Sequence, residues 1–230
     1  MQERVIWKEI EKGGEGMSKF KAHIRYRTKD NKIVPGITTV LGLLNKPALI
    51  NWSWNLGMQK IDYRTFRDDK ADIGTLAHAM ITDKLIGKDT DVADYSRNQI
   101  DQAENSCLSF WEWEKDHKIE EVFFVERPLV SETYNFGGTL DIYAQVNGKK
   151  EIIDLKTGKG IYDEHCYQVA TLRVLLQEHN FVVDGTRIVN IPRSEDEGFL
   201  EKVITEEENE TGWKIFHHLL QVYYIKKGGE

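Results

Sequence analysis

An α/β fold is predicted by three observations. Residues 137–156, GGTLDIYAQVNGKKEIIDLK, hold two alternating apolar runs, 139–146 and 149–156, on either side of Asn147-Gly148. That dipeptide best accommodates the two positive φ angles of a tight hairpin turn. A run rich in Val and Phe at 120–130, EEVFFVERPLV, comes just before and makes three consecutive strands. Helical spacing then brackets the strands, with Ile73, Leu76, Ala77, Met80, Ile81 and Leu85 on one side and Val169, Leu172 and Leu176 on the other.

The hairpin turn fixes a register. With Val146 opposite Lys149, Tyr143 meets Ile152, Asp141 meets Asp154 and Thr139 meets Lys156. Two aspartates then stand side by side, with Cβ atoms ~5 Å apart, an arrangement that destabilises unless something compensates. Asp154 and Lys156 project from one face of their strand, while Leu140, Ile142, Ile153 and Leu155 are expected to point the other way into a core. Two carboxylates and an ammonium therefore cluster. Such a group is either a surface ion cluster worth under ~1 kcal/mol or a site for a hard divalent cation, which one or two carboxylates hold with water and phosphate completing the shell.

The remaining elements follow in order. Residues 1–18 read as an arm, and 19–60 as an N-terminal hairpin with helical segments. In KAHIRYRTKDNKIVPG, apolar positions alternate with His23, Arg25 and Arg27 before a turn at Asp30-Asn31, giving a strand with one basic face. Arg25 and Arg27 are candidates for phosphate contacts. Thr38 or Thr39 is placed to cap a short helix through Leu44, and Pro47 starts another that carries Trp52 and Trp54, which cannot share one face. For each tryptophan a core position is expected. The helix at 71–87 places His78 at the edge of its apolar stripe, with Gly87 ending it. A helix at 93–116 carries Phe110, Trp111 and Trp113 as packing residues, and Pro128 is expected to end the strand at 120–130. Beyond the hairpin come a helix with Asp163 as its cap, a strand at 185–192, another at 198–204 and an amphipathic helix at 207–225. The catalytic core is assigned to 72–192 and a C-terminal hairpin and helix to 193–230, all within a single domain.

Composition sets bounds. At 230 residues with 40% hydrophobic content the chain can bury a full core. No apolar run approaches the ~20 residues of a membrane span, so a cytoplasmic protein with no membrane partner is expected. Two cysteines, Cys107 and Cys166, are too few for a disulfide framework, a four-cysteine zinc site or a cysteine-ligated cluster. The net charge is −7, yet residues 194–210 take eight of the 38 acids and one of the 31 bases, leaving 30 of each elsewhere. Composition thus neither supports nor opposes a nucleic-acid partner.

Motif tests narrow the chemistry. The GKG at 158–160 is no phosphate loop, because Ile153 stands where its first glycine belongs and Gly160 where Ser or Thr must follow. No nucleophile elbow or dinucleotide turn occurs. What remains is an ordered set: His78 on a helix, Gly138-x-x-Asp141 and Asp154-Leu155-Lys156 on consecutive strands, and Gln168 on the next helix. This set resembles the PD-(D/E)XK nuclease superfamily, in particular its RecB-like exonuclease branch of bacterial and phage proteins. The likeness spans roughly residues 74–172, with ITTVL at Thr38 and Thr39 similar to a stretch preceding the core in small phage members.

The resemblance implies a restriction-endonuclease-like core, a central mixed β-sheet flanked by helices in the order αβββαβ. It also implies Mg²⁺- or Mn²⁺-dependent cleavage of DNA phosphodiesters. The metal, one ion or two, would be held by His78, Asp141, Asp154 and the main-chain carbonyl of Leu155. Lys156 would position the attacking water, and Gln168 would touch substrate or orient Lys156. Glu126, Lys159 and Tyr167 are secondary candidates, and Thr38 and Thr39 join Arg25 and Arg27 as DNA contacts. Two departures stand out: Asp154 replaces the usual Glu, and Leu172 the usual Tyr. No iron–sulfur cluster is expected. Implied partners are DNA, as double-stranded ends or single strands, and a recombination protein. The competing readings are a structure-specific endonuclease and an inactive binding module of the same fold.

Overall fold

The computed structural model describes residues 24–228, so the arm expected at 1–18 and the start of the basic strand at 20–23 lie outside the described residues. Asn147 and Gly148 take φ of 48° and 80°, the left-handed pair that matches a hairpin turn to strand twist. They join β2 (Phe136–Val146) to β3 (Lys149–Lys156) in the expected register, with Val146 opposite Lys149 and Tyr143 opposite Ile152. β1 (Ile119–Ser131) runs antiparallel to β2. The helix α5 (Asp163–Glu178) then carries the chain over to β4 (Gly185–Asn190), parallel to β3, and β5 (Leu200–Val203) closes the sheet antiparallel to β4. The result is a mixed five-stranded sheet in the order β1-β2-β3-β4-β5, flanked by helices. The α/β architecture and the αβββαβ order are as expected.

Helices cover both faces. α3 (Tyr63–Leu85) and α4 (Arg97–Asp116) bury Ile73, Leu76, Ile81, Phe110 and Trp113 against Ile142, Ala144, Val146, Ile153 and Leu155. α1 (Ile37–Leu41), α5 and α6 (Glu206–Lys226) bury Leu172, Leu176, Phe216 and Leu220 against Leu140, Tyr143 and Ile152. α2 (Pro47–Met58) leans on α3 and leaves Ile50, Trp54 and Met58 exposed, against the expectation of a core position for Trp54; Trp52 is half-buried beside Phe66.

Several boundaries differ from the sequence reading for local physical reasons. α3 starts at Tyr63 because the Asp62 carboxylate accepts the Arg64 N–H at 2.8 Å, a cap that outweighs the polar first turns. α1 is capped by Gly36 with no side-chain bond, so Thr38 and Thr39 lie within the helix, exposed, and α1 stops at Leu41. α4 begins at Arg97 behind a Ser96 capping box, and Tyr162 rather than Asp163 precedes α5. Pro128 does not end β1, since an edge strand tolerates its missing donor and it pairs with Thr139. The basic strand at 24–27 is reduced to a turn in which Arg27 and Ile33 form an isolated bridge.

The pleat is broken where the sequence reading assumed it regular. Leu140 packs beneath α5 while Ile142, two residues on, packs beneath α3, so β2 changes face at Asp141. Directly across the sheet, Glu126 of β1 has φ +47°, and Leu129 and Val125 on either side of it lie on opposite faces. A non-glycine residue in the left-handed region is uncommon, and it is found where surrounding structure holds it for a purpose. The paired ladder between β2 and β3 also ends at Ile142 and Ile153. The edge of β2 that β3 leaves is taken by residues 35–36: Gly137 N–H donates to Pro35 O at 2.9 Å, and Gly36 bridges Gly137 in parallel. Gly137 permits this because a Cβ there would sit 2.2 Å from the Tyr26 ring.

Candidate metal centre

Asp141 sits in the gap between these two partners of β2. Its carboxylate accepts the Leu155 N–H at 2.8 Å, replacing the ladder bond that a regular hairpin would have made. The direct Asp141–Asp154 strand pairing of the sequence reading is therefore not formed as such. A side-chain-to-backbone bond takes its place and leaves the two carboxylates near one another. Asp154 is 1% exposed, pairs with the Lys156 ammonium, and accepts from Gln168 Nε2 at 3.3 Å. Gln168 and Lys156 thus both contact the Asp154 carboxylate.

His78 reaches the cluster from α3. Its Nδ1 lies 3.6 Å from Asp141 Oδ2. The helix comes close enough because Gly74, one turn earlier, faces Thr157 just past β3; a Cβ on Gly74 would stand 2.6 Å from Thr157 Oγ1. The inverted backbone at Glu126 brings a second carboxylate to the same place. Among the described residues, His78, Glu126 and Asp141 form the group whose ligand atoms lie within 4.8 Å of one another. An imidazole and two carboxylates in that space could hold a metal ion.

Charge coupling ties the groups together. Burial opposes the charged form of His78, but Asp141 outweighs it and holds the imidazole above its ordinary value. Burial also opposes the charge on Asp141, yet His78 and then Lys156 hold its carboxyl low. Asp154 is pushed up to about 6, chiefly by burial and further by Asp141, against the pull of Lys156. Lys156 is held above the ordinary lysine value, because its two aspartates overcome burial. The site is therefore a buried cluster of mutually dependent charges, two carboxyl groups set against an imidazole and an ammonium.

Other sequence candidates lie apart from the centre. Lys159 is exposed on the loop after β3, and Tyr167 packs against apolar clusters beside α5. Arg25 and Arg27 are exposed, with Arg27 bonded to Asn31. Next to His78 and Lys156 opens a cleft of about 410 Å³, whose walls include Lys70, Thr75, Thr157 and Arg193. None of these four carried a motif. Lys70 lies in the polar half of α3 and Arg193 follows Pro192, and no local spacing ties either to the hairpin.

No family model matches the chain, and no curated protein matches it. Among solved structures it is similar to a putative exonuclease from Eubacterium rectale, with 12% identity over 69% of each chain and a TM-score of 0.49. It is also similar to LHK-Exo in complex with dAMP, with 12% identity over 67% of this chain and 83% of that one and a TM-score of 0.34. No helix among the described residues is long and apolar enough to cross a membrane.

Proposed function

We propose that this chain is a divalent-metal-dependent phosphodiesterase. The observation that carries the reading is the convergence, at one break in the pleat, of His78, Glu126 and Asp141 as a ligand group with the buried Asp154–Lys156 pair beside it. More particularly, it is a DNA nuclease of the RecB-like type that the ordered motif resembles, acting as an exonuclease in recombination or repair.

His78, Glu126 and Asp141 would hold the ion, with Asp154 and the Leu155 carbonyl as further ligands. When bound, the ion supplies Lewis-acid charge neutralisation and a lowered pKa for water. The chain's own residues do the rest. Lys156, kept protonated by Asp154 and Asp141, presents an ammonium to a non-bridging phosphate oxygen and offsets the charge that grows there. Asp154 fixes that ammonium, and Gln168 fixes Asp154. Burial keeps competing water from screening these contacts.

Linear and circular DNA incubated with Mg²⁺ or Mn²⁺ test the reading. Cleavage of linear DNA only is expected, and cleavage of closed circles would make the chain an endonuclease. Asp154→Ala and Lys156→Ala should each abolish cleavage with the fold retained; full activity in either would overturn the assignment. An inert wild type that also takes up no Mn²⁺ in calorimetry would identify a binding module.

A further inference from the structure

The cleft beside the metal centre has a charge bias that the chain as a whole lacks. Acids outnumber bases 38 to 31 overall, yet the cleft is lined by Lys70, His78, Lys156 and Arg193 with the hydroxyl residues Thr75 and Thr157, and among the described residues no carboxylate lines it. The carboxylates behind the lining pair with its cations, as Asp154 does with Lys156. Glu197 accepts from the Arg193 backbone N–H and from Nε, both at 3.0 Å, and pairs with its terminal nitrogen, which holds the guanidinium in place from behind. Lys70 is likewise steadied, donating to Gln102 Oε1 at 2.7 Å. Held cations with hydroxyls between them and no acid suit a phosphate better than a carboxylate ligand or a metal.

The cleft starts at His78 and Leu155 and runs outward from the metal group to Lys70. Lys70, Gly74 and His78 recur every four residues on one face of α3, so Lys70 stands about 12 Å along the axis from His78. One phosphate cannot touch both. We infer that the cleft between the N-terminal half of α3, Thr157 and Arg193 is a subsite for a second phosphodiester of the strand being cut, flanking the scissile one, with Lys70 as its principal contact. The identity of the ligand as nucleic acid rests on the nuclease reading; the anion subsite rests on the lining itself.

Fluorescent single-stranded oligonucleotides of two unrelated sequences, titrated with full-length protein in EDTA, test this without turnover. Lys70→Gln keeps a hydrogen-bonding group for Gln102. It should weaken binding about tenfold, equally for both sequences, and flatten the slope of log K against log salt by about 0.7, as expected for one lost phosphate contact. Lys70→Arg should retain most of the affinity, and Lys214→Gln, at an exposed position on α6, should change neither quantity. Wild-type affinity and slope in Lys70→Gln would overturn the subsite, as would a loss confined to one sequence. If the wild type cuts no DNA with either metal but Lys70→Gln still lowers affinity and slope, the nuclease reading fails and the subsite stands. If DNA is cut and Lys70→Gln binds like wild type, the subsite alone fails.

Discussion

The position of His78 depends on a glycine one turn away, and Gly74→Ala measures that dependence. A Cβ at Gly74 would lie 2.6 Å from Thr157 Oγ1, about 0.8 Å inside an ordinary contact. Thr157 is β-branched and stiff at χ1, so the strain falls largely on the spacing between α3 and the end of β3. Overpacking of this kind costs about 1–3 kcal/mol. For a chain of this size that lowers Tm by about 2–12 °C. The larger effect is on chemistry: a shift of several tenths of an ångström in a ligand-bearing helix should slow cleavage by about 10- to 100-fold. Single-turnover cleavage of a linear duplex at saturating Mn²⁺, with differential scanning calorimetry alongside, reads both. Thr157→Ala combined with Gly74→Ala removes the clash and should restore much of the rate, the two effects being strongly non-additive. A Gly74→Ala variant with wild-type rate and Tm would refute the claim that this contact sets the place of His78.

Two further predictions concern other groups. Glu126→Gln keeps the size of the side chain but removes a carboxylate from the ligand group; Mn²⁺ affinity by calorimetry should fall at least about tenfold, the loss seen even for outer-shell partners, and unchanged affinity would remove Glu126 from the site. His165 at the start of α5 is pushed down to about 4 by burial, with Lys156 adding to it, and its Nδ1 accepts the Tyr162 N–H at 3.3 Å, which a protonated ring cannot do. The folded value lies below the unfolded value of about 6.5. The unfolded chain therefore takes up the proton first, and stability present above pH 6.5 is lost as pH falls towards 4. After allowing for partial exposure the loss is on the order of 1–2 kcal/mol. His165→Asn should remove that part of the pH dependence of the urea midpoint; identical profiles for the two proteins would contradict it.

What the sequence made legible was local. The Asn147-Gly148 turn is chosen by two φ angles that few other dipeptides tolerate, and the Asp154–Lys156 pair follows from a separation of two on one strand. Hidden from it was everything that depends on a departure from regular pleating. Alternation places Leu140 with Ile142, but the change of face at Asp141 puts them on opposite sides of the sheet. The same break brings Glu126, a secondary candidate in the sequence, within 4.8 Å of His78 and Asp141 as a group that could hold an ion. The helix start at Tyr63 was missed because 63–70 carries polar residues on every side, so the Asp62 cap rather than apolar spacing marks it. Trp54 shows the converse error: its size argued for the core, yet α2 has little but α3 to pack on.

The strap at residues 35–36 has a consequence in time as well as in space. The Tyr26 hydroxyl and the Thr139 hydroxyl, 2.9 Å apart, are separated by 113 residues of chain, and closing a loop of that length costs about 4 kcal/mol of entropy before any contact repays it. On the ribosome the strap is made early and β2 late. The strap waits without a partner until the hairpin has formed, and the gap that holds Asp141 takes its final shape only when that long loop closes. The geometry of the acidic centre is thereby tied to a contact between distant parts of the chain as well as to its own hairpin.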